Sequence, residues 1–169
     1  YGLYVPPAPA EDGAPAAVEN LNASFTDNSL VGKVAFTAPT ATYAGGTLSG
    51  QLSYYVMVGN DTLATGKTYP GAFVRETVTV PEGVTTFRVT TANEVGSSPE
   101  NKVKVYVGND EPTQVKDVNL AIDPETGVAK LTWSPVTTGI NGGYIGNITY
   151  NVVRYPDSTT VSTGPAATQ

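Results

Sequence analysis

The 169-residue chain contains no cysteine and no histidine. Without cysteine nothing is stapled by disulfides, and thiol usage says nothing about the compartment. Without histidine the commonest general base and the commonest transition-metal ligand are both missing, so zinc and copper sites of the usual kind are not expected. No Ser/His, Ser/Lys or Cys/His arrangement stands out to activate a nucleophile. Basic residues are also scarce: nine Lys and Arg against 15 Asp and Glu give a formal net charge of -6 and a pI near 4.5. They are scattered singly, which makes nucleic acid and anionic membrane surfaces unexpected partners. No apolar run approaches the roughly 20 residues of a membrane span. There is no signal peptide and no lipid-attachment Cys, so either an export signal has been removed or this is an excised segment.

What the chain does have is glycine, 18 residues, and proline, 13 residues, together with abundant Thr and Val. Windows of Ala, Leu, Glu and Lys at helical spacing are absent, which points to an all-β fold. A hydrophobic content of 40% is enough to form packed cores. The clearest signal runs from Val84 to Pro99. Phe87, Val89 and Thr91 alternate with Arg88, Thr90 and Ala92, the period of a strand with one buried face, and Asn93, Gly96 and Ser97-Ser98-Pro99 then stop it.

Taken in order, Tyr1 to Val5 is a short apolar tract, and the Pro/Ala-rich stretch after it has the composition of an extended linker. Strands are expected around Val18 to Phe25, Val34 and Phe36, and Leu52 to Val58. Gly59-Asn60-Asp61 then turns the chain into a hairpin with Thr62 to Thr65. Further strands follow at Val74 to Val80, at the Phe87 stretch and at Val103 to Val107, making seven. The strand at Val74 to Val80 mixes polar and apolar residues on one face, since Glu76 shares the parity of Val74 and Val78.

The chain then starts again. Val115, Val118, Leu120 and Ile122 repeat Val18, Leu21, Ala23 and Phe25 at an offset of 97. Leu131 and Trp133 answer Val34 and Phe36, Gly142-Gly143 answers Gly45-Gly46, and Tyr150 and Val152 answer Tyr54 and Val56. This organises the chain into residues 1–16, the end of a preceding unit plus a linker; 17–108, a complete domain; 109–114, a linker; and 115–169, the N-terminal half of a second domain. Residues 115–169 contain no counterpart of the Val84 to Pro99 stretch. Half a sandwich leaves a strand edge open, so the natural chain is expected to continue past Gln169, or another chain or the Tyr1 to Val5 tract to cover that edge.

The aromatics Phe36 and Trp133, the Tyr54-x-Val56 and Tyr150-x-Val152-x-Arg154 strands, and Phe87-x-Val89-x-Thr91-x-Asn93-x-x-Gly96-x-Ser98 together resemble the fibronectin type III domain. The resemblance implies an immunoglobulin-like β-sandwich, one complete domain plus part of a second. Two positions depart from the family. Phe87 stands where a Tyr usually ties a corner to backbone, and Phe36 stands where Trp is usual. Gly-Gly-Tyr-Ile followed by Thr-Tyr-Asn-Val-Val-Arg-Tyr-Pro-Asp is similar to tandem modules of large secreted or surface bacterial proteins. That similarity implies an extracellular or cell-surface location.

Candidate sites are few. Asp61, Asp110, Glu111, Asp123 and Glu125 lie near turns, where Asp and Asn serve as turn formers; a Ca²⁺ ion at Asn109 to Glu111 is the chemical alternative. Tyr43 and Tyr144 fall in corresponding loops, and with Asn93, Glu94, Ser97 and Ser98 of the later loop they are the residues a ligand could meet. Tyr55 and Tyr155 are expected to point outward. Asn22, Asn60 and Asn147 match the N-glycosylation acceptor pattern, a match expected several times by chance in so Asn- and Thr-rich a chain. The expected function is that of non-catalytic spacer modules in an exported multidomain protein, with other domains of the same protein as partners and no cofactor. The alternatives are a module that binds a glycan or a protein, and an accessory domain of a secreted hydrolase.

Overall fold

The computed structural model describes residues 12–157 and 159–163, and it contains strands and no helix among them. The Tyr1 to Val5 tract lies outside the described residues. Two compact units divide the chain, Tyr1–Gly108 and Asn109–Gln169.

In the first unit seven strands form two sheets. They are β1 (Glu19–Phe25), β2 (Val31–Thr37), β3 (Leu52–Val58), β4 (Asp61–Thr68), β5 (Phe73–Thr79), β6 (Gly83–Ala92) and β7 (Asn101–Val107). One sheet has the order β1-β2-β5 and the other β4-β3-β6-β7, all antiparallel. The alternation read from the sequence sets this arrangement. On β6, Thr85, Phe87, Val89 and Thr91 point inward and are buried, while Thr86 is exposed and Arg88 half-buried. Val34 and Phe36 of β2 face them across the sandwich, and Tyr54 and Val56 of β3 lie beside them in the same sheet, with Val18, Val78, Val80 and Val107 completing one core. β1 packs against β7 and β4 against β5, closing both sides, and Asn101 Nδ2 donates to the Val18 carbonyl at 2.8 Å.

Phe87 is 0% exposed and stacks on Phe25, ring centroids 6.0 Å apart. Where the related fold would use a tyrosine hydroxyl, this corner is therefore held by ring packing. Phe36 is equally buried and meets Tyr54 edge-on at 5.6 Å.

The mixed face of β5 has a structural reason. Tyr54 of β3 is buried with its hydroxyl donating to Glu76 of β5, so a carboxylate on the inward parity ties one sheet to the other. Tyr54 pairs with Gly66 on β4, and a Cβ at Gly66 would stand 2.4 Å from the tyrosine hydroxyl oxygen. The ring occupies the space that a side chain at 66 would need. Gly66→Val should therefore cost about 1–3 kcal/mol through overpacking; a urea titration showing no loss of unit 1 stability would refute this.

The β1–β2 ladder carries a bulge between Glu19 and Asn22, with Asn20 at φ 52°. Residues before β1 belong to the unit as well. Ala14 and Pro15 are fully buried, and Pro15 pairs with Thr42. The linker expected to run through residue 16 therefore ends earlier, because a Pro/Ala composition that suits a solvated tether suits a packed strap equally well once a loop receives it.

The second unit contains β8 (Lys116–Ile122), β9 (Ala129–Ser134), β10 (Tyr150–Arg154) and β11 (Thr159–Thr163), paired as two hairpins, β8-β9 and β10-β11. Its backbone repeats the first unit in detail. The β8–β9 bulge falls between Lys116 and Asn119, with Asp117 at φ 55°, 97 positions after Asn20. Gly142 takes a positive φ as Gly45 does, and Trp133 meets Tyr150 at 5.2 Å as Phe36 meets Tyr54. Residues 109–114, expected to be a linker, form a strap here too: Pro112 pairs with Gly139 and Asn109 with Tyr144. No counterparts of β5, β6 and β7 are present among the described residues of this unit.

Candidate functional site

Antiparallel pairing places the starts of β1, β3, β5 and β7 and the ends of β2, β4 and β6 at one end of unit 1. The 38–51 and 93–100 loops, which carry the candidates Tyr43, Asn93, Glu94, Ser97 and Ser98, meet there on either side of the 12–16 strap. Tyr43 N donates to the Ala14 carbonyl at 2.7 Å, and Asn93 Nδ2 donates to the Gly13 carbonyl at 2.9 Å.

The polar groups at this end are largely committed. Asn93 Oδ1 accepts from Val95 N at 3.0 Å and Gly96 N at 3.2 Å, an Asx turn that shapes the 93–96 loop. Ser98 is only 2% exposed; its hydroxyl accepts from Thr91 N at 3.0 Å and donates to the Pro99 carbonyl at 2.9 Å. Ser98 is thus unavailable to a ligand, and Asn93 serves as the loop's internal brace. Ser97 is half-buried and bridges Ala92 through the backbone. The 38–51 loop is braced in the same way, Thr42 Oγ1 accepting from Gly46 N at 3.0 Å.

Of the candidates, Tyr43 at 55% exposure and the exposed Glu94 remain on the surface of this end. Two aromatic residues not singled out from the sequence join them in location, Tyr69 at 59% and Phe73 at 67%, flanking the turn between β4 and β5. That turn is anchored by Ala38 N donating to the Ala72 carbonyl at 2.9 Å and Gly71 N to the Ala38 carbonyl at 3.0 Å. Pro70 and Gly71 suit such a turn, but nothing local in the sequence says that the rings flanking it stay uncovered. Tyr55 and Tyr155 are exposed, in line with their parity.

In unit 2 Tyr144 is partly exposed, and its carbonyl accepts from Asp110 N at 2.7 Å. Asp110 is held by four hydrogen bonds. Its Oδ1 accepts from Glu111 N and Asn141 Nδ2, and its Oδ2 from Asn141 N and Gly143 N, each at 2.9 Å. Gly139 is required beside it, since a Cβ there would stand 2.2 Å from Oδ2. With both oxygens taken up by N–H donors, this carboxylate is a loop lock and not a Ca²⁺ ligand, which corrects the cation alternative at Asn109 to Glu111. Asp123 similarly accepts from Glu125 N and Thr126 N to cap the β8–β9 turn.

Burial alone would push the Asp110 carboxyl up, but the hydrogen bonds from Asn141, Gly143 and Glu111 outweigh it and hold it below its ordinary 3.8. A depressed native value stabilises above the unfolded value and is lost as the pH falls through the native one. We expect the Asn141 and Gly143 amides of Asp110→Ala to exchange with solvent faster than in the parent chain at neutral pH. The parent itself should lose that protection only below about pH 3.8. Equal exchange in both proteins would remove the lock.

No family model and no curated protein matches the chain. Among solved structures it is similar to the FN1–FN3 domains of chicken CNTN1, at 13% identity and a TM-score of 0.34. The match covers 91% of this chain, which spans 55% of the length of that one. The strand order and pairing of unit 1 define its architecture on their own: an all-β, immunoglobulin-like sandwich of a three-stranded and a four-stranded antiparallel sheet.

Proposed function

We propose that the chain is a non-catalytic structural segment of an exported multidomain protein, a spacer that holds other domains of that protein apart. The observation that carries this reading is the commitment of loop polar groups to the units' own backbone. Asn93, Ser98 and Asp110, which a binding loop would present outward, each brace a strap or a turn instead. Rigid straps at the start of each unit suit a spacer, because they limit local bending where a unit begins. The proline at position 112 fixes φ there and removes a donor that the strap does not need.

A binding module is the second reading, favoured by the exposure of Tyr43, Tyr69 and Phe73 at one end of unit 1. An extracellular glycan or protein would be its partner. Screening the chain against a glycan array and a panel of extracellular-surface preparations separates the two. A spacer gives no specific signal, and Tyr43→Ala changes nothing. Saturable binding lost on Tyr43→Ala would overturn the spacer and establish the module.

A further inference from the structure

Asn141-Gly142 is the only Asn-Gly pair of the chain. A glycine after asparagine has no Cβ to hinder its backbone nitrogen from reaching the asparagine side chain, so this pair is the one most open to spontaneous deamidation. The fold places it inside the Asp110 lock. Asn141 Nδ2 donates to Asp110 Oδ1 and Asn141 N to Oδ2, each at 2.9 Å, and Gly142 N donates to the Gly139 carbonyl at 3.0 Å. The side-chain amide and the nitrogen that would attack it are thus both held by other partners. Unit 1 builds the same loop without this chemistry. Ile140 N to the Glu111 carbonyl at 2.8 Å repeats Tyr43 N to the Ala14 carbonyl at 2.7 Å, and Gly142 N to Gly139 repeats Gly45 N to the Thr42 carbonyl at 2.9 Å. At the offset of 97, however, the counterparts of Asn141 and Asp110 are Ala44 and Gly13. The brace differs accordingly. Gly46 N is taken within its own loop by Thr42 Oγ1, whereas Gly143 N, its counterpart, is taken by Asp110 Oδ2 from the strap.

We propose that Asn141 is a self-modification site: its deamidation releases the 109–114 strap of unit 2, and the Asp110 lock sets the rate. The inference is independent of whether the chain serves as a spacer or as a binding module. The Gly142 nitrogen gives up its proton to water and bonds to Asn141 Cγ, and the side-chain nitrogen leaves as ammonia. Water then opens the cyclic imide at one carbonyl or the other, leaving aspartate or isoaspartate. The balance is one water consumed and one ammonia released, with no oxidant or reductant. Both steps need the loop open, because the attacking nitrogen must leave Gly139 and the amide must leave Asp110. Neither product can close it again. A carboxylate in place of the Asn141 amide has no proton to give and stands as a like charge against Asp110, where a donor stood at 2.9 Å. Isoaspartate also lengthens the main chain by a methylene, which pulls apart the Asn141 and Gly143 amides that share Oδ2. In unit 1 neither charge nor asparagine stands at these positions, so its strap has no such release.

The test incubates the full chain and its Asp110→Ala variant in mildly alkaline buffer and follows the tryptic peptide 131–154 by mass spectrometry, with isoaspartate labelled by its methyltransferase. Asn147 and Asn151 in the same peptide precede Ile148 and Val152 and serve as internal references. The expected result is slow conversion confined to Asn141 in the parent and conversion faster by about tenfold or more in Asp110→Ala, the factor by which loss of an ionised acceptor opens the loop. Unit 1, which closes its loop with Ala44 and Gly13, shows that the variant can still form the turn. Equal rates in the two proteins, or no conversion in either, would overturn the proposal. A second pair of variants tests the release without waiting for the reaction. Asn141→Asp should lose amide protection at Glu111 and Gly143, whereas Asn141→Ala, which keeps the backbone donors and adds no charge, should retain most of it. Protection in Asn141→Asp equal to that of the parent, or lost to the same degree in both variants, would refute release by charge.

Discussion

Replacing Phe87 by alanine should lower the unfolding free energy of unit 1 by about 3–5 kcal/mol, the range for truncating a fully buried phenylalanine. The ring is completely enclosed and stacks on Phe25, and it sits on the same inner face of β6 as Val89. No neighbour is free to collapse into the space. Val34, Phe36 and Val56 are pinned in ladders on either side of the core, so most of the cavity should persist. Phe87→Tyr distinguishes the ring's role from that of the tyrosine usual in related folds. If the corner has no acceptor, the added hydroxyl is buried unpaired and destabilises by about 1–3 kcal/mol. Urea titration followed by far-UV circular dichroism reads both, and a loss below about 1 kcal/mol for the alanine variant would show that the core is not centred on this ring.

The second large effect is expected at the tie between the sheets. Glu76→Ala leaves the buried Tyr54 hydroxyl without its acceptor and should cost about 1–3 kcal/mol. Removing both polar partners, Tyr54→Phe with Glu76→Val, should cost less than Glu76→Ala alone, because no unpaired group remains. The tie also predicts an alkaline limb. The hydrogen bond to Glu76, then burial, then the negative charge of that carboxylate, push the Tyr54 hydroxyl up from 10.0 to about 12. A native value raised above the unfolded one stabilises fully below pH 10.0 and loses that contribution between 10.0 and about 12. Stability of the parent should therefore fall across that window more steeply than that of Tyr54→Phe. Parallel profiles would mean that the tyrosine proton is not held by the tie.

Much of unit 1 was legible because its information is local. Alternation on β3 and β6 fixed which side chains point inward, and Gly59-Asn60-Asp61 marked the β3–β4 hairpin. What stayed hidden depended on partners distant in sequence. Glu76 looked like an error in the pattern until Tyr54, 22 residues earlier, was seen to use it. Asp110 looked like a solvated linker acid because its donors at Asn141 and Gly143 lie some 30 residues away. Composition misled in the same manner at Ala14 and Pro15, which pair with Tyr43 and Thr42 of a loop some 30 residues away. Among the candidate ligand residues, type and loop position were readable, but availability was not. Ser98 and Asn93 are the residues a ligand would want and also the residues a tight loop needs, and here the loop takes them.

The bulge shared by β1 and β8 has a consequence for chains built from such units. Tethered modules meet one another at effective concentrations in the millimolar range when their linkers are short and flexible, and neighbours of like sequence can exchange strands and misfold together. β1 is the outermost strand of its sheet and the natural place for an intruder to pair. A left-handed asparagine at position 20 and the register jump beside it break the regular row of donors and acceptors that an intruder would need. The kink at Asn20, with its counterpart at Asp117, leaves that edge a poor template for an added strand.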